Sequence, residues 1–200
     1  MKTPWDIRYD TVDFVYGKQA NGFFAAELEK LRAGSLLLPG EGEGRNAVHA
    51  ATKGWEVEAF DQSHVAAKKA LVYAAEKGVQ LEYSVAGIDE FSFQPNQYDA
   101  VGLVYVHSVP SDRILLHQQV VRALKPEGTV ILEAFHTSQL GNNSGGPPSL
   151  EYLFSEEIIR SDFAGLEIGT LEQVRVHLEE GSFHQGDAEL IRFVGRKLNK

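Results

Sequence analysis

A doubly wound α/β protein with a mostly parallel sheet is what the 200 residues predict, on three observations. Strand-like and helix-like stretches alternate from Ser35 to Phe135, which demands right-handed crossovers between parallel strands. The first strand runs into a glycine-rich turn and a helix, and the second ends in an acid, the layout of a mononucleotide-binding half. The final two strands are separated only by Glu179–Asp187, too short for a crossover, so they form an antiparallel hairpin.

Each element has a local cause. Asn21–Arg32 carries Phe24, Leu28 and Leu31 at helical spacing. Ser35-Leu36-Leu37-Leu38 is an apolar run too short for a helix and suited to a strand covered on both faces. Pro39-Gly40-Glu41-Gly42-Glu43-Gly44 is the turn, and Arg45–Lys53 is a helix stopped by Gly54. Glu56–Phe60 alternates as a strand with Asp61 at its carboxyl end. Ser63 caps a helix over His64–Lys77. Gln80–Val85 and Tyr98–Val104 are the third and fourth strands. Ser111 caps a helix through Leu124, Lys125–Gly128 turns, and Thr129–Phe135 is the fifth strand. His136–Leu150 reads as a long loop, Ser155–Phe163 as a short helix, and Leu166–Leu178 and Ala188–Arg196 as the closing strands.

Residues 1–34 are rich in aromatics: Trp5, Tyr9, Phe14, Tyr16, Phe23 and Phe24. Trp5–Gly17 is irregular. It is either an apolar arm over a sheet edge or a partner subunit, or a lid that brings Tyr9 and Tyr16 over a ligand.

The net charge is −9 and the basic residues are scattered, which argues against nucleic acid and anionic membranes and for a small-molecule substrate. There is no cysteine, so thiolate catalysis and Cys-ligated metals are excluded. No histidine–carboxylate spacing fits a metal site. The start of the chain has no apolar secretory core, and Ala100–Val106, the longest apolar run, is far short of a membrane span. The expectation is a cytoplasmic protein forming one domain over 1–200, as a monomer or homodimer.

The turn decides between ligands. The pyrophosphate fingerprint G-x-G-x-x-G needs a glycine where Arg45 stands. Glu41 and Glu43 put carboxylates where a pyrophosphate would lie, and like charges at short range oppose it. A donor with a sulfonium and an ammonium is favoured instead, which turns the reading from NAD toward S-adenosylmethionine (SAM).

Several stretches then point to one family: Trp5-Asp6-Ile7-Arg8-Tyr9, Tyr16-Gly17 with Asn21, Gly42–Val48, Gly54, Val57, Asp61-Gln62-Ser63 and Tyr98-Asp99. Leu124–Gly128, Gly145-Gly146-Pro147-Pro148 and Glu180–Gly186 complete the set. Nearly the whole chain resembles a class I SAM-dependent methyltransferase, similar to the small bacterial tellurite-resistance (TehB-like) group. The resemblance implies a Rossmann-like sheet in the order 3-2-1-4-5-7-6 with SAM over its carboxyl rim. It also implies Gly40, Glu41 and Gly42 behind the methionine moiety, Arg45 near its carboxylate, Asp61 on the ribose hydroxyls and Gln62 beside the adenine. The usual acid before the first glycine is Leu38 here. The usual acid after strand 3 falls on Gly87, leaving backbone N–H groups around Ile88 to read the adenine.

Methyl transfer needs positioning above all, and a base only where the acceptor must lose a proton. His107, after the central strand, and His184, in the final hairpin at the same rim, are the candidate catalytic groups. His49 is expected to be structural, and Arg175 faces either the rim or solvent. The function expected is methyl transfer to a small acceptor such as a chalcogen oxyanion, a thiol or a related metabolite, with S-adenosylhomocysteine as product. The alternatives are an inactive SAM- or nucleoside-binding protein and, third, an NAD-dependent oxidoreductase.

Overall fold

The computed structural model describes residues 2–199. Ser35–Pro39 (β1) is covered on both sides, as its unbroken apolar run requires. Leu36 and Leu38 enter one cluster with Phe24, Leu28, Ala47 and Ala50. Leu37 enters the opposite one with Val101, Leu103, Leu132 and Phe193. β1 pairs in parallel with Glu56–Asp61 (β2) and Tyr98–Val104 (β4). Glu82–Val85 (β3) lies outside β2, and Leu124–Phe135 (β5) lies outside β4, both parallel. Leu166–Glu180 (β6) and His184–Lys197 (β7) form the antiparallel hairpin, with β7 against β5. The order is β3-β2-β1-β4-β5-β7-β6, as the resemblance implies.

The helices are Pro4–Tyr9 (α1), Gly22–Leu28 (α2), Arg45–Thr52 (α3), His64–Glu76 (α4), Pro110–Ala123 (α5) and Glu156–Asp162 (α6). Besides shifts of one or two residues at other ends, four differences from the sequence reading have a local cause. α2 ends early because its last turns tighten into i→i+3 bonds from Lys30 to Glu27 and Leu31 to Leu28. Pro110 opens α5 behind Val109, so Ser111 lies inside the helix and does not cap it. The expected turn at Lys125–Gly128 is a bulge within β5, where the pairing jumps from Tyr98–Leu124 to Ala100–Thr129. The hairpin loop shrinks to Gly181-Ser182-Phe183, because the backbone ladder continues through polar residues to Glu180 and His184. The irregular N-terminal stretch contains α1, closed by a capping box between Thr3 and Asp6.

Candidate functional site

The glycine turn sits at the carboxyl end of β1, and residues 10–20 cross the rim beside it as a strap. Asp6 fastens α1 to the start of α4 by accepting from the Ser63 hydroxyl at 2.8 Å and from Val65 N–H at 3.3 Å. Lys69 of α4 donates to the carbonyls of Tyr9, Thr11 and Asp13 at 3.3, 3.1 and 2.8 Å. It also pairs with Glu43, whose other oxygen accepts from Val15 N–H at 2.7 Å. This corrects the placement of Glu43: it holds the strap and does not face a ligand. The arm therefore packs against the glycine turn and α4. It brings the Tyr9 hydroxyl within 2.7 Å of where a Cβ on Gly42 would stand, a close approach that only glycine permits.

Two carboxylates flank the turn. Asp61 accepts from Gly42 N–H at 3.1 Å and from Ser63 N–H at 2.8 Å, one bond per oxygen. Burial pushes it up to about 6. One Glu41 oxygen accepts from Asn46 and Ala47 N–H at 2.8 Å each, the capping expected at a helix N-terminus. Burial still pushes Glu41 up to about 7. Each carboxylate has lone pairs to spare in a site poor in donors. The Tyr9 hydroxyl and Ile88 N–H have no hydrogen-bond partner among the described residues. Val106 lies against Gly40, its methyls 3.3 and 3.4 Å from a Cβ position there, and Gln62 is exposed. Beside Gly87, Asp89 Oδ1 lies 2.9 Å from where a Cβ would stand.

Arg45, at the start of α3, leads from the turn to a buried polar cluster. Its guanidinium donates to the Tyr16 carbonyl at 3.1 Å and to Glu180 at 3.0 Å. Asn21, the N-cap of α2, donates to Glu133 at 2.6 Å and to Glu180 at 3.2 Å. Arg192 donates to Glu133 at 2.6 Å, and the Tyr105 hydroxyl donates to Glu133 at 3.2 Å. Tyr105 holds φ +55°, a strained value for a bulky residue, of the kind that concentrates at functional positions. The hairpin tip joins the strap at Gly181, where a Cβ would run into the Val15 carbonyl oxygen.

His184 opens β7 inside this cluster. Its Nδ1–H donates to Glu180 at 3.3 Å, and the rings of Tyr105, Tyr16 and Phe135 stand 4.5, 4.6 and 5.2 Å away. Burial outweighs the Glu180 charge and holds the imidazole below its ordinary value. Glu180 is held low in turn: burial opposes its charge, but His184 and Arg45 prevail. His184 therefore combines a neutral ring, a carboxylate that fixes its tautomer, and an Nε2 with no partner among the described residues.

His107 does not fit the base role expected of it. Its Nδ1–H donates to the Tyr152 carbonyl at 2.7 Å, and Phe135 N–H donates to Nε2 at 3.3 Å. Both nitrogens are taken, and burial pushes it down to about 4. Replacing it in His107→Phe strands one donor and one acceptor, and urea unfolding is expected to show a loss of about 2–4 kcal/mol at neutral pH. A histidine with a depressed folded value stabilises above about 6.5 and loses that contribution as pH falls toward 4, so the difference between wild type and variant shrinks over that interval. Arg175 faces outward, pairing with Asp187 at 3.2 Å in a groove of about 460 Å³ on the face of the hairpin opposite Val174, Val176 and Leu178. Gly145 and Gly146 pack on His184 and Phe135. The described residues contain no group of His, Cys, Asp and Glu arranged to hold a metal.

Residues 37–128 match a family described as a methyltransferase domain. Among solved structures, TehB from Haemophilus influenzae superposes with a TM-score of 0.75 at 13% identity, over 89% of this chain and 62% of that one. The chain thus spans under two thirds of the length of that TehB chain. A SAM-dependent methyltransferase from Methanosarcina mazei gives 0.73 at 17% identity, over 91% of this chain and 100% of its own. A structure titled for the conversion of a disulfide bond into a thioacetal group during echinomycin biosynthesis gives 0.70 at 19% identity, over 98% and 85%. No curated protein sequence matches. Residues 37–128 are thus similar to a methyltransferase domain, and the chain shares its fold and sheet order with SAM-dependent methyltransferases of solved structure. In fold the chain is similar to TehB.

Proposed function

We propose that the chain, as one domain over residues 1–200, transfers a methyl group from SAM to a small-molecule acceptor. The observation that carries this reading is the pair of incompletely partnered carboxylates, Asp61 and Glu41, beside the glycine turn. They suit a ligand that brings hydroxyl donors and positive charge, and they oppose a dinucleotide pyrophosphate. When bound, SAM supplies an electrophilic methyl group on a sulfonium.

The protein's own part is to hold and orient. Gly40, Glu41 and Gly42 back the methionine moiety, Arg45 and Tyr16 close its end, and Asp61 takes the ribose hydroxyls. Gln62, Ile88 N–H and Asp89 bracket the adenine, and Tyr9 closes the strap from above. His184 is the group placed to receive a proton. The acidic, dispersed surface supports a cytoplasmic small-molecule enzyme without nucleic acid, as a monomer or homodimer. No helix among the described residues is long and apolar enough to cross a membrane.

Titration calorimetry with SAM, S-adenosylhomocysteine and NAD tests the reading. The adenosyl ligands are expected to bind and NAD is not. Asp61→Ala is expected to weaken SAM by roughly 1–3 kcal/mol, a loss of about 5- to 150-fold, as for a hydrogen-bonding group removed from a buried site. NAD binding, or an Asp61→Ala variant with full SAM affinity, would overturn the assignment.

A further inference from the structure

We infer that the acceptor is an uncharged thiol whose proton is taken by His184 Nε2, and that oxyanions are poor acceptors. The inference rests on the methyltransferase reading and deepens it. Its basis is the state of every charged group at the rim.

An oxyanion acceptor needs a cation with donors free to hold it. Arg45 is paired with Glu180 at 3.0 Å and Arg192 with Glu133 at 2.6 Å, both inside the cluster. Lys69 is spent on Glu43 and three carbonyls. Arg8 has no carboxylate partner among the described residues. Its guanidinium is stacked against Trp5 and Phe183, with its carbon 5.0 and 4.8 Å from their ring centres, and it donates to the Tyr16 hydroxyl at 3.0 Å. Glu41 and Asp61 add negative charge on the other side. Among these cations Arg8 alone is without a carboxylate among the described residues, and with Trp5 and Phe183 over its faces it offers an oxyanion only an edge-on contact; an anion would also have no use for a base.

A base is nevertheless present. His184 meets Glu180 from β6, Arg45 from α3, Arg8 from α1, Tyr16 from the strap, and Tyr105 and His107 from the loop after β4. Only Glu180 raises its basicity, and the ring stays neutral, which is the form able to accept a proton. Proton matching selects the acceptor. A thiol releases its proton near 8.5, within reach of an imidazole, whereas an ammonium or phenol holds its proton near 10 and an aliphatic alcohol far above that. The walls agree: Tyr16, Tyr105 and Phe135 offer the aromatic surface that polarisable sulfur favours.

In the step, the thiol proton passes to His184 Nε2 while a sulfur lone pair forms the new S–CH3 bond. The pair of the breaking bond remains on the donor sulfur, which becomes a neutral thioether, and the imidazolium then releases its proton to water.

The test uses benzyl mercaptan, benzylamine, selenite and tellurite. Calorimetry on the protein saturated with S-adenosylhomocysteine is expected to detect benzyl mercaptan and neither oxyanion, and methyl transfer is expected to follow the same order. His184→Gln, shown to be folded by its thermal melt, is expected to lose about 100-fold in kcat at pH 7 with KM for SAM within twofold of wild type. It is expected to recover as the pH is raised until the thiol ionises unaided. Methylation of selenite, tellurite or benzylamine in preference to the thiol would overturn the inference, as would a His184→Gln defect that does not diminish at high pH. Failure of SAM itself to bind would instead overturn the reading beneath it.

Discussion

Gly44→Ala is expected to lower stability by about 3 kcal/mol or more, the scale of an overpacked core combined with backbone strain. Gly44 adopts φ +91° at the start of α3, a conformation that strains any side chain bearing a Cβ. The added methyl would also stand 2.7 Å from the Ala70 Cβ and 2.9 Å from its Cα. The second contact is with backbone, so no rotamer change relieves it; α3 and α4 would have to separate. The third glycine of the turn thus serves helix-to-helix packing, and Arg45 next to it extends into the buried cluster toward Glu180. Urea unfolding at pH 7.5 measures the effect, and a loss below about 1 kcal/mol would show that the two helices are not held so tightly. Ala70→Gly in the same background is expected to restore part of the loss, because it removes the Cβ facing the new methyl.

SAM affinity is expected to fall by about 100-fold between pH 7.5 and pH 5.5. Without ligand, Glu41 titrates near 7 and Asp61 near 6, both raised by burial. A cationic donor favours the ionised forms, so its binding expels protons from a protein that holds them below those values. The sign follows directly: affinity is full above about 7.5 and declines as acid neutralises first Glu41 and then Asp61. Calorimetry in buffers of different ionisation enthalpy would register the released protons near pH 6.5. Glu41→Gln is expected to flatten the upper part of the profile. A profile flat across this range would show that neither carboxylate senses the ligand.

Much of this architecture was legible because buried parallel strands are nearly continuous apolar runs, as in Ser35–Leu38 and Ala100–Val104. The hairpin was legible in its middle, where Val174, Val176 and Leu178 alternate, and its ends were not. There the ladder continues through Glu179, Glu180, His184 and Gln185, whose polarity conceals a strand that hydrogen bonding maintains. α1 was missed although Thr3-Pro4-Trp5-Asp6 spells a capping box with proline at the first helical position.

The glycine turn and Asp61 could be read together as a candidate cofactor site because their spacing is local. The polar cluster around Glu180 could not. Asn21, Glu133 and Glu180 meet from positions 112 and 159 residues apart, and one sequence carries no sign of such a pairing. Glu43 was misplaced for a related reason: adjacency to the turn says nothing of the direction its side chain takes. His107 and His184 looked alike in the sequence. Only the partners of their ring nitrogens separate a pinned imidazole from an available one.

Lys69 gives the closed rim a particular dynamic character. Three peptide oxygens and a buried carboxylate converge on one ammonium, and the same carboxylate belongs to the glycine turn. Lifting any one oxygen gains little freedom while the rest hold, so the segment unlatches as a unit, on the slower timescale of collective loop motion. Under the proposed function, entry of donor and escape of product would wait for the same event, and shedding of the spent nucleoside would then limit turnover.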